Sequence, residues 1–368
     1  MTALHLRDIT LSLPGTGEVL SALDLEMRLG GITWLVGESG AGKSTLCNLL
    51  AGLSPVDAKV SGVLDLSEIV SDRGRRGVRG GRGGRGVRGE RAAGERRDIA
   101  EAAVPGDGRL DLGAGRGRRA LARMRRAGVI AWAPQNAMDT FPPTMRLVDW
   151  FARAGIESPD LAAYGLEKSI LRRRPHQVSG GQISRISLAA AVAKSPRLLV
   201  CDEPTAGLDP EQADAVVGVL NEQTSTGGRA VLAVTHDLSG LQRNARSDDR
   251  VAVAFNGHIV ENCSVGAFFA GRAANAYVQA LAAAAPAAGA HPLPPADGIR
   301  PAPWVYRDGD ELRRLGEGEV RGGGRTLPGG PTLLVDRNLP GDLTPPGDRT
   351  LPGAGTGRNR LDGRGGPE

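Results

Sequence analysis

The stretch Gly-Glu-Ser-Gly-Ala-Gly-Lys-Ser-Thr at residues 37–45 decides the fold of this 368-residue chain. It satisfies the pattern G-x-x-x-x-G-K-[ST], in which a glycine-rich loop holds phosphate groups with its backbone N–H groups. An almost continuous apolar run at 32–36 precedes the loop, and leucines at helical spacing follow it. A strand, this loop and a helix in that order predict a phosphate site at the carboxyl end of a mostly parallel sheet.

The parts of this loop have different chemical tasks. The glycines let the backbone curl so that successive N–H groups face the phosphates, and the helix N-terminus adds its positive dipole end. Lys43 is expected to bind the β- and γ-phosphates, and the Ser44 hydroxyl to coordinate Mg²⁺. The residues predicted to contact the nucleotide here are Gly37, Glu38, Ser39, Gly40, Ala41, Gly42, Lys43, Ser44 and Thr45.

A second motif, Leu-Leu-Val-Cys-Asp-Glu-Pro at 198–204, is an apolar strand that ends in two carboxylates. Ligands of open α/β sheets bind at the carboxyl ends of the strands, so both carboxylates are expected beside the phosphate loop. Asp202 then holds Mg²⁺, and Glu203 polarises the attacking water as a general base. At this point kinases, helicases and GTPases all remain possible.

Composition narrows the class of protein. Aromatic residues make up only 3% of the chain, which disfavours stacking platforms for single-stranded nucleic acid. The net charge of +5 is concentrated in one Arg–Gly stretch and says little about the rest of the surface. The three cysteines are an odd number and form no CxxC pair, which favours a reducing compartment. We find neither a signal peptide pattern nor an apolar run long enough to span a bilayer.

The sequence Val-Ser-Gly-Gly-Gln at 178–182 precedes a predicted helix that leads to the acidic strand. In that place it resembles the signature motif of ABC ATPases, the ATP-hydrolysing components of ABC transporters. Hydroxyl and backbone N–H groups at a helix N-terminus can grip a γ-phosphate. The resemblance implies that two subunits pair head to tail and that each signature closes over the partner's ATP. The residues it assigns to this contact are Ser179, Gly180, Gly181 and Gln182.

Other motifs of the family follow in order along the chain. Gln135, in Ala-Pro-Gln-Asn, matches the Gln loop, which touches Mg²⁺ and the attacking water and senses the membrane partner. Residues 206–209 match the loop that communicates across the dimer, and His236 matches the switch histidine that contacts the γ-phosphate. The resemblance therefore implies ATP and Mg²⁺ as cofactors. It implies the catalytic residues Glu203, His236 and Gln135, and the metal ligands Ser44, Gln135 and Asp202.

The amino-acid sequences of the phosphate loop and of the segment 274–286 resemble those of the dipeptide, oligopeptide and nickel importers. The resemblance implies a peripheral subunit on the cytoplasmic face of the membrane, bound to transmembrane permease subunits through a groove near Gln135 and residues 136–152. It implies a second ABC ATPase subunit, identical or paralogous, and indirectly an extracytoplasmic substrate-binding protein. We expect no nucleic-acid partner. The alternative is a soluble ABC ATPase acting on ribosomes or DNA, but the chain has neither a second motor domain nor a long coiled coil.

The chain departs from the family at three places. Residues 13–17 offer no aromatic ring to stack on adenine, so we expect weaker or less selective base binding. Ser184 stands where the family usually has Gln, whereas Arg185 is kept. A Cys-rich tail is absent, which argues against an iron–sulfur centre.

The predicted fold is an α/β P-loop NTPase of the ABC ATPase type. It has a mostly parallel sheet core, an N-terminal antiparallel β-subdomain and a helical subdomain at 140–178, with helices at 145–154 and 161–174. We assign residues 1–268 to the ATPase domain, 269–286 to a C-terminal helix and 287–368 to an unstructured tail rich in Pro and Gly. Asn256-Gly257 predicts a hairpin turn, and Asp308-Gly309 favours a second, smaller hairpin.

Residues 72–119 are dominated by Arg and Gly, with almost no periodic apolar pattern, and the family has no such segment there. We predict a disordered or surface loop, because a loop can lengthen at little entropic cost. The segment also resembles RGG tracts, which bind RNA or anionic lipid electrostatically. The lack of Phe and Tyr weakens the case for RNA.

Overall fold

The computed structural model describes residues 3–68, 107–156, 158–284, 305–308 and 311–314. Every described residue belongs to one compact unit. The strands of its two main sheets are β1 (Ala3–Leu13), β2 (Gly17–Arg28), β3 (Gly31–Gly37), β4 (Lys59–Asp65), β5 (Arg109–Asp111), β6 (Ile130–Ala133), β7 (Leu198–Asp202), β8 (Ala230–Val234), β9 (Arg250–Phe255) and β10 (His258–Ser264). The helices are α1 (Lys43–Leu50), α2 (Gly115–Arg126), α3 (Leu147–Arg153), α4 (Gly180–Ala193), α5 (Pro210–Gly227), α6 (Leu238–Asn244), α7 (Val265–Phe269) and α8 (Ala276–Ala283).

The central sheet has the strand order β10-β9-β3-β8-β7-β6. All its pairs are parallel except the β9–β10 hairpin. β7 and β8 are buried at every position, which explains why they read as continuous apolar runs. β3 lies between β9 and β8, so the phosphate loop that follows it starts in the middle of the sheet. The mostly parallel core predicted from the sequence is confirmed.

A second sheet, in the order β2-β1-β4-β5, is antiparallel and forms the predicted N-terminal β-subdomain. Its apolar residues share a core with α1 and α2 and with one face of the central sheet. The β9–β10 hairpin turns at Asn256 and Gly257, which have φ angles of 45° and 81°. Positive φ at both central residues is the geometry for which Asn-Gly is favoured.

The helical region is less regular than predicted. α3 is the expected first helix, but the expected helix at 161–174 was wrong, because that stretch forms separate 3₁₀ turns at Ala162–Tyr164 and Lys168–Arg172. Gly165, with a φ of 64°, ends the first turn in the left-handed conformation. Pro175 disfavours the helical conformation at the residue before it, and Arg174 is accordingly extended, with a ψ of 159°.

The prediction that residues 72–119 are unstructured was wrong for the carboxyl end of this segment. Regular structure begins with β5, and α2 starts at Gly115, so both elements begin within the segment predicted to be unstructured. Gly117, Ala120, Leu121 and Met124 form the buried face of α2, and our search for apolar periodicity missed this face among the arginines. Residues 69–106 lie outside the described residues.

The Arg–Gly segment leaves and rejoins the fold at one place. The Leu66 N–H donates to the Gly108 carbonyl at 2.7 Å, and Gly108 lies against the backbone of Ser67. Because these two ends are adjacent, the segment is an insertion between neighbouring strands β4 and β5.

The predicted tail lies outside the described residues, apart from a small antiparallel hairpin of Val305–Asp308 with Glu311–Arg314. The C-terminal helix predicted at 269–286 corresponds to α8, which is shorter than that range. In the part of the chain that the structure describes, no helix combines the length and apolar character needed to cross a membrane.

Candidate functional site

The phosphate loop joins β3 to α1, and the residues predicted from 37 to 45 all lie at this junction. Gly37, Gly40 and Gly42 have φ angles of 144°, 84° and 91°, which L residues rarely adopt. A Cβ at Gly37 would lie 2.1 Å from the Ala254 carbonyl oxygen of the neighbouring strand. The backbone therefore turns here only because residue 37 has no side chain.

Glycine at position 37 should accordingly be required for stability. We expect Gly37→Ala to lower the free energy of unfolding by about 3 kcal/mol or more, because a clash with backbone adds to the strain of a positive φ. Gly40→Ala is the matched control, since Gly40 also has a positive φ but no atom lies within 4 Å of its Cβ position. Denaturant unfolding should place the control within about 1–2 kcal/mol of the parent. Equal losses in both variants would contradict the steric argument.

Lys43 at the start of α1 is folded back onto the loop. Its Nζ donates to the carbonyl oxygens of Gly37 at 2.8 Å and Glu38 at 2.7 Å. Burial lowers the Lys43 pKa, and the charges of Glu203 and Asp202 act in the opposite direction. The ammonium group is thus held within the loop and beside the two carboxylates at the end of β7.

Asp202 ends β7 and is only 4% exposed. Burial raises its pKa, while a hydrogen bond with the Ser44 side chain and the charge of Lys43 act to lower it. Its Oδ1 atom is buried and has no hydrogen-bond partner in the described chain. A buried carboxylate oxygen without a partner, next to a serine hydroxyl, is a donor set that suits a hard cation such as Mg²⁺.

Glu203 forms the centre of a polar cluster drawn from three separate loops. One carboxylate oxygen, Oε2, accepts a hydrogen bond from Gln135 Nε2 at 2.9 Å. The other, Oε1, lies 3.2 Å from His236 Nδ1. The Glu203 side chain is 19% exposed and that of His236 is 68% exposed. The three residues predicted to be catalytic are therefore in direct contact, at the open edge of the sheet.

The backbone explains how Glu203 reaches this position. Its N–H donates to the Val234 carbonyl at 3.1 Å, which extends the pairing of β7 with β8 by one residue. Its φ of 52° then turns the chain sharply away from the sheet. A non-glycine residue in this region is strained, and such strain is concentrated at functional sites.

The signature turn begins α4. Ser179 is the N-cap: its hydroxyl accepts from the Gln182 N–H at 3.2 Å, and the Gln182 side chain accepts from the Ser179 N–H at 3.0 Å. A Cβ at Gly180 would meet nothing within 4 Å, so the turn faces open space. Within the described chain, none of the hydrogen bonds made by this turn reaches the phosphate loop. The signature is thus not brought together with the other predicted site residues of the same chain.

Arg185 lies four residues after Gly181 in α4, and its side chain stabilises the signature turn through two hydrogen bonds. Its Nε donates to the Gly181 carbonyl at 3.1 Å and its Nη1 to the Tyr164 carbonyl at 3.0 Å. Burial lowers its pKa. Gly181 itself packs against Leu208, whose Cδ2 would lie 3.0 Å from a Cβ at that position. Leu208 belongs to the loop at 206–209 that follows Glu203, and Asp209 caps α5.

A cleft of about 450 Å³ lies beside the cluster of Gln135, Glu203 and His236. Pro134, next to Gln135, lines it, together with Trp132 of β6 and Trp150 of α3. The sequence predicted a groove from Gln135 and residues 136–152, but the far wall of the cleft comes from α1 and α4, including Asn48 and Ala190. No local pattern marks those residues as cleft residues, because only the packing of distant helices brings them here.

The three cysteines, Cys47, Cys201 and Cys263, are free and buried. Burial raises the pKa of the Cys47 and Cys201 thiols, so neither is a nucleophile at neutral pH. The chemistry of the site therefore rests on its lysine, carboxylates, histidine and backbone N–H groups.

Comparisons with known proteins agree with these observations. The family model described as ABC transporter matches residues 20–78 and 115–206. The nickel import ATP-binding protein NikE of Escherichia coli K12 is 32% identical over 249 residues, which cover 67% of this chain and 79% of that protein. The oligopeptide transport ATP-binding protein OppD of Lactococcus lactis subsp. cremoris SK11 is 27% identical over 253 residues. That match covers 67% of this chain and 64% of OppD, so the chain spans less than two thirds of this relative.

Among solved structures, the ATP-binding cassette MJ0796, in a dimeric post-hydrolysis state bound to ADP and Pi, matches with a TM-score of 0.51. The match covers 71% of this chain and 98% of the cassette at 18% identity, and it supports the fold alone. The sequence relatives establish the family. On this evidence the chain belongs to the ABC transporter family and carries its ATP-binding domain.

Proposed function

We propose that this chain is the motor subunit of an ABC importer, which hydrolyses ATP and transmits the work to transmembrane partner subunits. The observation that carries the proposal is the convergence of Gln135, Glu203 and His236 beside the phosphate loop. These side chains come from different loops, and a purely structural cluster would not need an exposed histidine and a strained glutamate at the edge of the sheet.

The phosphates of ATP lie against the N–H groups of the loop at 37–45 and at the N-terminus of α1. Lys43, now held by two loop carbonyls, exchanges them for the β- and γ-phosphate oxygens. With ATP bound, Glu203 accepts a proton from the attacking water, while His236 and Gln135 hold the carboxylate and the γ-phosphate in place. The water oxygen bonds to the γ-phosphorus as its proton goes to Glu203, and the bond between the γ-phosphorus and the β–γ bridging oxygen breaks, which releases ADP and phosphate.

Magnesium fits the residues next to the loop. Ser44, Asp202 and Gln135 would hold it, and the unpartnered Oδ1 of Asp202 supports this choice. When bound, the ion would neutralise charge on the β- and γ-phosphates.

The signature turn acts on the nucleotide of a second subunit. Its residues form a capped helix N-terminus open to solvent, which suits an anion, yet they make no hydrogen bond to the phosphate loop of their own chain. Pairing two such subunits head to tail places Ser179 and the N–H groups of Gly180 and Gly181 against the partner's γ-phosphate. ATP binding then closes the dimer and hydrolysis opens it.

The cleft beside Gln135 is the docking site for the transmembrane partner. It adjoins the catalytic cluster through Pro134, and the apolar side chains Met138 and Val148, exposed to 38% and 40%, lie close to its lining residues in sequence. The relatives are named for oligopeptide transport and nickel import, and we propose peptide or nickel as the cargo. The chain would then lie at the cytoplasmic face of the membrane, with an extracytoplasmic binding protein delivering the cargo. No described feature favours an action on ribosomes or DNA.

Co-purification tests this assignment. We expect the tagged chain to extract permease subunits from its native membranes, and Val148→Glu to reduce their recovery at least ten-fold, because a buried charge opposes docking. Ala163→Glu, an exposed alanine that does not line the cleft, is the control and should leave recovery unchanged. Recovery of ribosomes or DNA in place of membrane proteins would contradict the proposal. Mass spectrometry of the bound subunits identifies the cargo class through the permease and binding protein.

A further inference from the structure

The helix α2 carries four exposed arginines, Arg116, Arg119, Arg123 and Arg126, which we call the arginine stripe. Their spacing of three, four and three residues places them on one face, about 15 Å long at 1.5 Å per residue. The opposite face is buried, so the fold holds the helix with its guanidinium groups outward. In the described chain these four arginines make no ion pair, and α2 contains no acidic residue.

Helix stability does not account for this stripe. Arginine near a helix C-terminus interacts favourably with the helix dipole, which covers Arg123 and Arg126. Arg116 lies in the first turn, where positive charge is unfavourable and acidic residues are preferred, and Arg119 lies too far from either end to gain from the dipole. Four like charges at i,i+3 and i,i+4 spacing also repel one another. The stripe is therefore a cost to the isolated subunit, and a polyanionic surface would remove that cost.

The position of the stripe in the fold indicates which polyanionic surface would bind it. Arg125 of the same helix lines the cleft, as does Lys194. Burial lowers the pKa of Lys194, and the positive charge of Arg125 lowers it further. If the transmembrane partner docks in the cleft, as proposed above, then α2 lies on the side of the subunit that carries this partner, and we expect that side to face the membrane. The orientation of the stripe toward the membrane thus rests on the proposed function.

We infer that the arginine stripe of α2 binds the anionic headgroups of the membrane in which the transporter resides. The apolar face of α2 is packed in the core and cannot insert into lipid, so the contact is electrostatic and sensitive to salt. RNA is a poorer fit, because α2 has no aromatic residue on which bases could stack. Residues 72–106 are also basic and free of aromatic residues, so they give no reason to prefer RNA.

Vesicle flotation with the purified full chain tests the inference in the absence of any permease. At low salt we expect binding to vesicles of phosphatidylglycerol and phosphatidylcholine, none to phosphatidylcholine alone, and loss at high salt. Replacing the four arginines of the stripe by Gln should weaken binding at least ten-fold. The matched control replaces four exposed cations elsewhere by Gln and should bind within about two- to three-fold of the parent: Arg7, Lys168, Arg172 and Arg272. If both variants lost vesicle binding equally, the binding would depend on net charge alone and the inference would be overturned.

The Arg–Gly insertion is a second source of positive charge, with seven arginines and no acidic residue from Arg73 to Arg88. The experiment is therefore repeated in a chain in which a short Gly–Ser turn replaces residues 72–106. This deletion is feasible because the insertion leaves and returns at adjacent residues, and ATPase activity within a few-fold of the parent will show that it folds. In that background the four substitutions in the stripe should abolish vesicle binding. If the deletion alone abolishes it, the insertion and not the stripe binds lipid, and the inference fails.

Two further measurements distinguish lipid binding from RNA binding, and failure of this inference from failure of the proposed function. Fluorescence anisotropy with a single-stranded RNA should give binding at least ten-fold weaker than binding to the anionic vesicles, and tight RNA binding that depends on the stripe would overturn the inference. The Val148→Glu variant should float with vesicles as the parent does. Loss of vesicle binding with retained permease recovery contradicts the stripe alone, whereas loss of permease recovery by the parent contradicts the proposed function alone.

Discussion

Glu203→Gln should abolish ATP turnover, with the rate falling about 100- to 10,000-fold, while ATP affinity stays within a few-fold of the parent. The amide keeps the size of the carboxylate and can still contact Gln135 and His236, but it cannot accept a proton from water at neutral pH. Since binding would remain and hydrolysis would not, the ATP-bound pair of subunits should accumulate in the closed form.

Steady-state phosphate release and size-exclusion chromatography with Mg-ATP measure the two effects. Glu211→Gln is the matched control, because Glu211 is exposed at the start of α5 and contacts none of the catalytic residues. Turnover of the Glu203 variant at the parental rate would remove this residue as the base. A variant that stays monomeric with saturating Mg-ATP, even with a candidate partner subunit present, would contradict the head-to-tail pairing.

Lys43→Ala should weaken ATP binding by about 100-fold or more and thereby remove activity at ordinary nucleotide concentrations. Hydrogen bonds between charged groups contribute about 1.5–3 kcal/mol each, and the lysine is expected to make them to both the β- and γ-phosphates. In the free protein the same group bonds the carbonyls of Gly37 and Glu38. The variant also loses those bonds, so a modest fall in stability is expected beside the loss of affinity.

Isothermal titration with a non-hydrolysable ATP analogue measures the affinity of this variant, and thermal unfolding measures its stability. Lys168→Ala, at an exposed position outside the loop, should bind as the parent does. The two active-site variants differ in kind: the Glu203 change leaves a protein that binds and does not turn over, and the Lys43 change leaves one that does neither. Retained affinity in Lys43→Ala would mean that the loop N–H groups alone hold the phosphates.

Much of the fold could be predicted because its signals are local. The apolar strand before Gly37 and the helix after it follow from the run of side chains, and Asn256-Gly257 gives the hairpin because both residues tolerate positive φ. The 3₁₀ turns at 162–172 could not be predicted in this way. Their apolar spacing suits a helix, and what prevents one is the left-handed Gly165 together with the packing of Tyr164 in the core.

The candidate site was predicted residue by residue but not as a geometry. The motifs identify Gln135, Glu203 and His236, yet only the order of β8, β7 and β6 in the sheet brings the ends of their loops together. The strained φ of Glu203 has no signal in the sequence, since glutamate is not a residue that favours positive φ. The same limit explains α2: arginines interrupt its apolar pattern, and its buried face is evident only where it packs on α1 and the β-subdomain.

In the dimer proposed above, the packing of Leu208 beside Gly181 would give the two nucleotide sites a short mechanical linkage. Gly181 lies in the first turn of α4, the helix proposed to contact the neighbour's nucleotide. Leu208 lies five residues beyond Glu203, the proposed base for this subunit's own nucleotide, and between them the Ala206 N–H donates to the Glu203 carbonyl. Leu208 Cδ2 comes within 3.0 Å of the position that a Cβ at residue 181 would occupy, so movement of the start of α4 toward the loop would press on the Leu208 side chain. Departure of phosphate from one site would therefore shift the base of the other, which favours alternating rather than simultaneous firing of the paired motors.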